Sequence, residues 1–477
     1  MQSKIIKMLM GGTNVFACLQ TGFGKSLLFQ LPALMDDQLT IVISPLIATI
    51  DDQTKSLNSC FDDMPARAWH SGIEQEEKQR ILQEIDTVRL LYCSPESLVQ
   101  TDLLELIVRR KKLVRRIVVD EVHLVHFWGA NFRPAYTHIR QRTEEVIGPV
   151  NWLAITATAN RDTIDMIMSS LGTDFKIIAS NPVRNNIEYL RFPMTRAKDL
   201  SLKDVIKNKR EKRCNVYDLD SRTIADNIHQ HLRSSEKTIV FCTTKKRAIA
   251  LQALLDVACP VYCYHGALSY ADRTRVVNAY TKDESAVLIA TAAFSVGVDI
   301  AGIDCIIHAE TPLSIDAYLQ ETGRAGRGGY HGQSARALFL YDETISNKSA
   351  NSLVRLSYPQ RHEIEAVLEY LQLWRVCCHE QGTVEPGDWC YYDITEMAEM
   401  LKLSRYSIKR CLELLQRSCI ELDIEPYTKY RITGEFDWDA YRKKRDCVSA
   451  DLVAMKGYMH TDLSAKEYLL NHYILSK

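Results

Sequence analysis

The segment Leu19-Gln20-Thr21-Gly22-Phe23-Gly24-Lys25-Ser26 constrains the fold more than any other, because of what flanks it. Before it runs VFACL (15–19), an apolar stretch that reads as a buried strand. After it runs LLFQLPAL, which reads as a helix. A strand, a glycine turn, Lys-Ser and a helix together form a phosphate cradle. The glycines let backbone N–H groups approach an anion, and the helix N-terminus adds partial positive charge. Lys25 is suited to neutralise β- and γ-phosphates and Ser26 to ligate magnesium, with Thr21, Gly22 and Gly24 completing the loop. The strict pattern asks for glycine at position 19, where Leu19 stands.

Strand-like runs recur downstream: TIVISP (40–45), RLLYC (89–93), RIVVD (116–120) and NWLAIT (151–156), with helical periodicity between them. This alternation predicts a parallel sheet with helices on both faces. A second series begins after Asn181-Pro182, with IEYLRF (187–192), TIVFC (238–242), VYCYH (261–265), AVLIAT (286–291), CIIHAE (305–310) and ARALFLY (335–341). The predicted fold class is therefore α/β, with two tandem parallel-sheet lobes over residues 1–182 and 183–341. The charged stretch 196–237 reads as a long loop or an insertion. From about residue 342 the strand pattern stops, and residues 342–477 are expected to be mainly helical. ITEMAEMLKLSRYSIKRCLELLQ reads as two helices joined at LKLSRYS, either a helix-turn-helix in a winged-helix-like element or plain helical packing. At the start, MQSKIIKMLMGG reads as an amphipathic helix with Ile5, Ile6 and Leu9 at helical spacing.

RIVVDEVH puts Asp120 and Glu121 at the carboxyl end of an apolar strand, the edge that faces the ligand crevice in open α/β sheets. One carboxylate can hold a metal ion while its neighbour orients a water, because metal and water lie side by side at a γ-phosphate. In the second series, Gln320-Glu321-Thr322-Gly323-Arg324-Ala325-Gly326-Arg327 carries two arginines three apart, which share a face if the segment is helical. Set across a cleft from the phosphate loop, they are candidate arginine fingers. Asp299, in AFSVGVDI, is a candidate for the facing edge, near a ribose or magnesium.

Composition excludes other classes. Hydrophobic residues are 46% and charged residues 25%, which is ordinary for a soluble globular chain. No stretch approaches the ~18 uncharged apolar residues of a membrane span. Lys plus Arg is 59 against 60 Asp plus Glu, so any nucleic-acid contact must be local rather than a bulk basic field. The basic clusters Arg109 to Arg116, Lys203 to Arg213 and Arg442 to Arg445 are either solvated faces or such local contacts. None of the 14 cysteines forms a CxxC pair, so most read as small buried hydrophobes. Cys377, Cys378, His379 and Cys390 are zinc-capable residues at spacing that suits one tetrahedral site poorly.

Over residues 2–340 the chain resembles the RecQ DNA helicases of superfamily 2. The motifs that carry the resemblance occur in that family's order: TGFGKSLLFQLPAL, SPLIATIDDQ (44–53), YCSPESL (92–98), DEVH (120–123), ITATA (155–159), IVFC (239–242), YHGAL (264–268), AFSVGVD (293–299) and QETGRAGR (320–327). HLVHFWGANFRPAY (123–136) is similar to the aromatic-rich loop that couples DNA binding to ATP hydrolysis in the family, with Trp128, Phe132 and Arg133 on its pattern. Aromatic faces and guanidinium planes stack on unpaired bases. The tail looks more similar to the Rothmund–Thomson-type branch, and it lacks the spaced cysteines of the usual zinc module. Departures include Val122 where alanine is usual, His126, Phe127 and Ala130 in the aromatic loop, and Gly328 after the arginine motif.

The resemblance implies two RecA-like lobes, ATP and Mg2+ as cofactors, and single-stranded and partly duplex DNA as partners, with no membrane. It implies translocation 3′→5′ inside the cell with the DNA, in the nucleus if the source is eukaryotic. Lys25, Asp120, Glu121, Arg324 and Arg327 would do the chemistry, with Ser26 and Asp120 on the metal. Gln2 falls where the family's adenine-reading glutamine stands. The aromatic and arginine that normally precede it are absent because the chain starts there, as in a fragment or a shortened gene product, which bears on adenine selectivity. Gln320 and Asp299 would join the nucleotide site. Ser44, Pro45, Thr156, Thr158 and Thr291 would meet the DNA backbone, a largely sequence-independent contact. An RNA helicase or remodeller, and a catalytically impaired DNA-binding protein, stay open as alternatives.

Overall fold

The computed structural model describes residues 1–125, 134–195, 216–294, 300–327, 334–345, 354, 358–385, 387–416, 418–422 and 429–473. Trp128, Phe132, Arg133 and Asp299, singled out above, lie outside the described residues, as do His126, Phe127, Ala130 and Gly328.

The first sheet has seven strands. They are β1 (Val15–Cys18), β2 (Leu39–Ile43), β3 (Ala66–Trp69), β4 (Leu90–Cys93), β5 (Val114–Val119), β6 (Asn151–Thr156) and β7 (Lys176–Ala179), in the order β3-β4-β2-β5-β6-β1-β7. All pairings are parallel, and Val15 to Cys18 of β1 run beside Leu153 to Thr156 of β6. Successive side chains of a strand point to opposite faces. Phe16, Ile41, Leu91, Ile117 and Trp152 enter one hydrophobic cluster, while Ala17, Val42, Tyr92, Val118 and Leu153 enter another. Both faces are thus buried, which is why the central strands read as unbroken apolar runs. The amphipathic helix Gln2–Met10 buries Ile5 and Leu9 in the second of these clusters.

The second sheet has six parallel strands. They are β8 (Ile187–Pro193), β9 (Lys237–Phe241), β10 (Val261–Tyr264), β11 (Ala286–Ala290), β12 (Cys305–His308) and β13 (Ala335–Tyr341), in the order β10-β11-β9-β12-β13-β8. One face is covered in part by the chain's last described segment. Met455, Tyr458, Met459, Ala465 and Leu469 pack with Tyr189, Phe339 and Tyr318. Tyr458 stacks on Phe339 with ring centroids 5.8 Å apart. The Arg191 guanidinium donates to the carbonyls of Tyr458, Thr461 and Leu463 and lies over the Tyr458 ring. Part of the stretch expected to be a loop or insertion is a helix, Val216–His231, whose Ile224 and Ile228 join the core on the other face of this sheet.

Residues 348–452 form a compact unit of their own. The long helix Arg361–Gln381 starts with a Gln360–Glu363 capping box and ends at Gly382, whose φ of 65° is the left-handed stop that glycine allows. The helices Ile394–Leu401 and Arg405–Leu415 join through Lys402 to Ser404, as a helix-turn-helix requires. The strand pattern does not stop at 342. β14 (Cys390–Tyr391), β15 (Ile420–Leu422) and β16 (Lys429–Ile432) form an antiparallel sheet beside the helices, which makes the element winged-helix-like. These strands, of two to four residues, are too short to show a period. Cys378 and Cys390 are buried in this unit's core, and His379 instead pairs with Asp388 at 2.7 Å. Among the described residues no cluster of three or more His, Cys, Asp or Glu side chains suits a metal ion, and no helix is long and apolar enough to cross a membrane.

Candidate active site

The phosphate loop leaves the carboxyl end of β1 and turns through Gly22 (φ 79°) and Gly24 (φ 71°), conformations that other residues rarely adopt. The turn delivers Lys25 and Ser26 to the start of the helix Leu27–Met35. The Gln2 amide donates to the Phe23 carbonyl at 2.7 Å, so the first helix braces the loop from outside.

Two strands away, β5 ends at Val119 and hands over to Asp120 and Glu121. Glu121 has φ 46°, a strained conformation, and its backbone N–H donates to Asp120 Oδ1 at 2.9 Å. The two carboxylates are in unlike fields. Burial, with the charge of Glu121 behind it, pushes Asp120 up, against the pull of Lys25. Burial also acts on Glu121, but Lys25, His123 and Arg324 together outweigh it and hold that carboxyl down. Lys25 and Arg324, on different lobes, therefore act on the same carboxylate. Glu121 Oε2 is buried with no hydrogen-bond partner, 3.2 Å from His123 Nδ1. An acceptor oxygen left so beside two cations suits a site that a ligand or water completes.

His123 extends the site to β6. Its Nδ1 lies 2.9 Å from Thr156 Oγ1, and that hydroxyl donates to the Thr158 carbonyl at 2.9 Å. Thr156 and Thr158 are buried. Ser44 and Pro45, at the end of β2, and Thr291, at the end of β11, are buried too, and they lie at the carboxyl edges of their sheets.

The arginine segment is not helical throughout. The helix Ile315–Thr322 carries Gln320 and ends at Gly323, so Arg324 and Arg327 lie beyond it and do not share a helix face. Arg324 is 5% exposed, with its guanidinium 5.2 Å from the centre of the Phe294 ring. Arg327 Nε donates to the Gly323 carbonyl at 2.9 Å.

A seam of backbone contacts joins the lobes at this point. Thr21 Oγ1 donates to the Gly323 carbonyl at 3.1 Å. Arg184 Nη1 reaches the carbonyls of Gly323 and Ala325 at 2.8 and 2.9 Å, and its Nη2 that of Gly326 at 2.8 Å. Gln20 Nε2 donates to the carbonyls of Asn181 and Val183, where the chain passes between the sheets. A Cβ on Gly323 would overlap Thr21 Oγ1 and lie 3.0 Å from the Leu319 carbonyl. Gly323→Ala is therefore expected to push the arginine segment off the phosphate loop. Nucleotide-supported turnover should fall by on the order of 10²-fold, as for a small displacement of a catalytic group, with the thermal midpoint little changed. Steady-state kinetics beside thermal unfolding check this, and wild-type turnover would show that the contact is idle.

Sequence reasoning missed Gln20, Arg184 and Asp316. Their signal is three-dimensional, because each serves a backbone or side-chain group more than 100 residues away. Asp316 is buried on the second lobe and takes a hydrogen bond from Tyr473.

Comparisons with known proteins agree with this architecture. Residues 1–167 match the DEAD/DEAH box helicase family and residues 221–329 the helicase conserved C-terminal domain. The chain is 32% identical over 352 residues to ATP-dependent DNA helicase Q-like 4B of Arabidopsis thaliana, covering 72% of this chain and 28% of that one. It is 30% identical over 331 residues to the probable ATP-dependent DNA helicase RecS of Bacillus subtilis, covering 69% and 61%. It is 30% identical over 459 residues to the RecQ-like DNA helicase blm-1 of Caenorhabditis elegans, covering 89% and 44%. The chain thus spans less than two thirds of the length of each of these relatives. Among solved structures, Mycobacterium smegmatis helicase Lhr bound to ssDNA and AMP-PNP matches with TM-score 0.53 at 17% identity, over 94% of this chain and 59% of that one. Saccharomyces cerevisiae Dbp5 bound to RNA and ADP BeF3 matches with TM-score 0.54 at 17% identity, over 74% and 86%. At such identities the likeness is one of fold.

Proposed function

Because the chain belongs to the RecQ family of superfamily 2 helicases, we propose that it is an ATP-dependent DNA helicase. It would translocate 3′→5′ on single-stranded DNA and open duplex DNA in replication, recombination or repair. One observation supports the reading above the rest: the phosphate loop of the first lobe touches the arginine segment of the second, Thr21 Oγ1 donating to the Gly323 carbonyl at 3.1 Å, with the charges of Lys25 and Arg324 both bearing on Glu121. A cleft that needs both lobes to gather its charges is one whose chemistry responds to lobe movement.

In this reading Lys25 holds the β- and γ-phosphates, within the backbone of Thr21, Gly22 and Gly24. Ser26 and Asp120 would hold Mg2+, a hard cation that hydroxyl and carboxylate oxygens suit. When bound, the ion would supply charge neutralisation at the phosphate oxygens. Glu121 orients the attacking water, and Arg324 and Arg327 meet the charge that develops as the γ-phosphoryl group leaves. Gln2, Gln320 and Asp299 are the further nucleotide contacts. Ser44, Pro45, Thr156, Thr158 and Thr291 line the DNA backbone path, and Trp128, Phe132 and Arg133 stack on unpaired bases. Lobe closure on ATP and release after hydrolysis would move one lobe along the strand.

The test is ATP hydrolysis by the purified chain alone, with single-stranded DNA and with single-stranded RNA of the same sequence. Stimulation of tenfold or more by DNA, with little by RNA, is expected. Stimulation by RNA alone would make the chain an RNA helicase or remodeller. DNA binding without turnover under any condition would make it a passive binder.

A further inference from the structure

Residues 180–186 carry the chain from β7 of the first sheet to β8 of the second. The connection is fastened at its start, where the Ser180 N–H and hydroxyl donate to the Cys18 carbonyl at the end of β1, at 2.8 and 3.3 Å. Gln20, just before Thr21 of the phosphate loop, donates through Nε2 to the carbonyls of Asn181 and Val183 at 2.5 and 3.1 Å. Farther on, Val183 is buried in the core of the second sheet, and the Asn186 carbonyl accepts from the Ala335 N–H at 3.0 Å. The connection is thus held to the phosphate loop at one end and to the second lobe at the other.

Arg184 lies between those anchors and reaches the arginine segment. Its Nη1 donates to the carbonyls of Gly323 and Ala325, and its Nη2 to that of Gly326, all at 2.8 to 2.9 Å. Asn186 Nδ2 donates to the same Gly326 carbonyl at 3.0 Å. Gly323, Ala325 and Gly326 are buried, and a buried carbonyl needs a donor. Three of the five N–H groups of one planar guanidinium meet that need. The carbonyls lie on both sides of Arg324, so the fork grips the backbone before and after it. The fit is close. Gly326 has φ 61°, and a Cβ there would lie 2.8 Å from Asn186 Nδ2 and 3.2 Å from the Ala335 Cβ. Glycine at 326 lets the connection come this near.

The segment needs such support because its own helix has ended. Past Gly323 the amides make short-range turn bonds, Arg324 to the Glu321 carbonyl at 3.2 Å and Ala325 to that of Thr322 at 3.0 Å, before Gly326 meets the Ile303 carbonyl at 2.9 Å. Thr21 and Arg327 share the Gly323 carbonyl with Arg184. Beyond Arg324 the donors come from the connection, Arg184 at Ala325 and Arg184 with Asn186 at Gly326.

We propose that Arg184 is a positioning residue for Arg324, fixing the backbone that carries it, and that Gln20 fixes the connection to the phosphate loop. The place of Arg324 relative to the phosphates is then set through Gln20, residues 181–184 and the Arg184 fork, a short path along the joint between the lobes. A turn of one lobe on the other bends the chain at this connection, so the same residues that yield to the motion also carry the arginine with it. The proposal rests on reading the cleft as an ATP-hydrolysing site, and its test separates the two.

The decisive variants are Arg184→Ala and Arg184→Lys in the full chain. Hydrogen exchange of the amides of residues 324–326, without nucleotide, should be faster in both than in wild type. With ATP and single-stranded DNA, kcat of Arg184→Ala should fall by about 10²-fold, as for a catalytic group moved by about an ångström, while KM for ATP stays within about twofold. Arg184→Lys keeps the cation and loses the fork, so it should recover less than about threefold of that loss. Residues that act through one another do not add, so Arg184→Ala placed on Arg324→Ala should cost no more than about threefold further. Unchanged exchange at 324–326 would overturn the proposal, as would full recovery by lysine or an undiminished loss in the Arg324→Ala background. Should Arg184→Ala fail to fold, Arg184→Lys decides by the same measurements. A wild-type chain without turnover would overturn the helicase reading alone, because the exchange comparison still decides whether Arg184 holds the segment.

Discussion

Replacing Lys25 by alanine should leave a folded chain that has lost ATP hydrolysis, with kcat lower by at least 10²–10³-fold, the scale on which single preorganised charged donors act. The argument begins with the loop that carries it. Gly22 and Gly24 adopt left-handed conformations, the helix Leu27–Met35 begins just after Ser26, and the side chain projects where it acts on both Asp120 and Glu121. Two neighbouring carboxylates in a buried site repel one another, and Lys25 is a cation that lowers both. Its removal should therefore do two things. Contact with the transferred phosphates is lost, and the site is left with an excess of negative charge that disfavours a polyanion. The second effect predicts weaker ATP binding as well as slower turnover. Equilibrium binding of a non-hydrolysable ATP analogue, beside steady-state hydrolysis with single-stranded DNA, checks both. Wild-type turnover in Lys25→Ala would remove the loop from the mechanism.

Much of this site was legible because its parts sit at the ends of buried strands. β1, β5 and β6 are interior strands of a sheet covered on both faces, so their sequences are apolar runs that stop where the chemistry begins, at Leu19, Asp120 and Thr156. The strands that sequence reading missed in this sheet, β3 and β7, are its two edges. Each has four residues, Arg67 interrupts one, and Lys176 and Ile177 of the other are exposed, so neither shows a buried run. Edge strands are under less pressure to be apolar on both faces and gain from charge. The arginine segment misled for a different reason. Helical periodicity extrapolates through QETGRAGR, but the Gly323 backbone must approach Thr21 so closely that the helix stops there. The return of residues 453–473 to the second sheet had no local signature at all. MKGYMH and AKEYLLNH are amphipathic in the ordinary way, and only the tertiary fold shows that Tyr458 meets Phe339 and Tyr473 meets Asp316.

The end of that helix leads to the second large effect. Arg324→Ala should lower kcat by on the order of 10³-fold, the lower end of what an arginine finger contributes. Arg327→Ala should cost about tenfold, the scale of one hydrogen bond. The two arginines are three residues apart but differ in employment. Arg327 spends Nε on the Gly323 carbonyl and so braces the seam against the phosphate loop. Arg324 is buried over the Phe294 ring and is among the charges that hold Glu121 ionised. A guanidinium already in the field of that carboxylate needs little reorganisation to meet the charge that develops on a leaving phosphoryl group. Its planar fork also fits phosphate oxygens in pairs, which a lysine ammonium does not, so Arg324→Lys should recover little. Steady-state hydrolysis by the three variants, at saturating ATP and single-stranded DNA, measures the ordering. Arg324→Ala within tenfold of wild type, or Arg327→Ala as the slower enzyme, would mean that the arginine whose charge bears on Glu121 is not the one that meets the transition state.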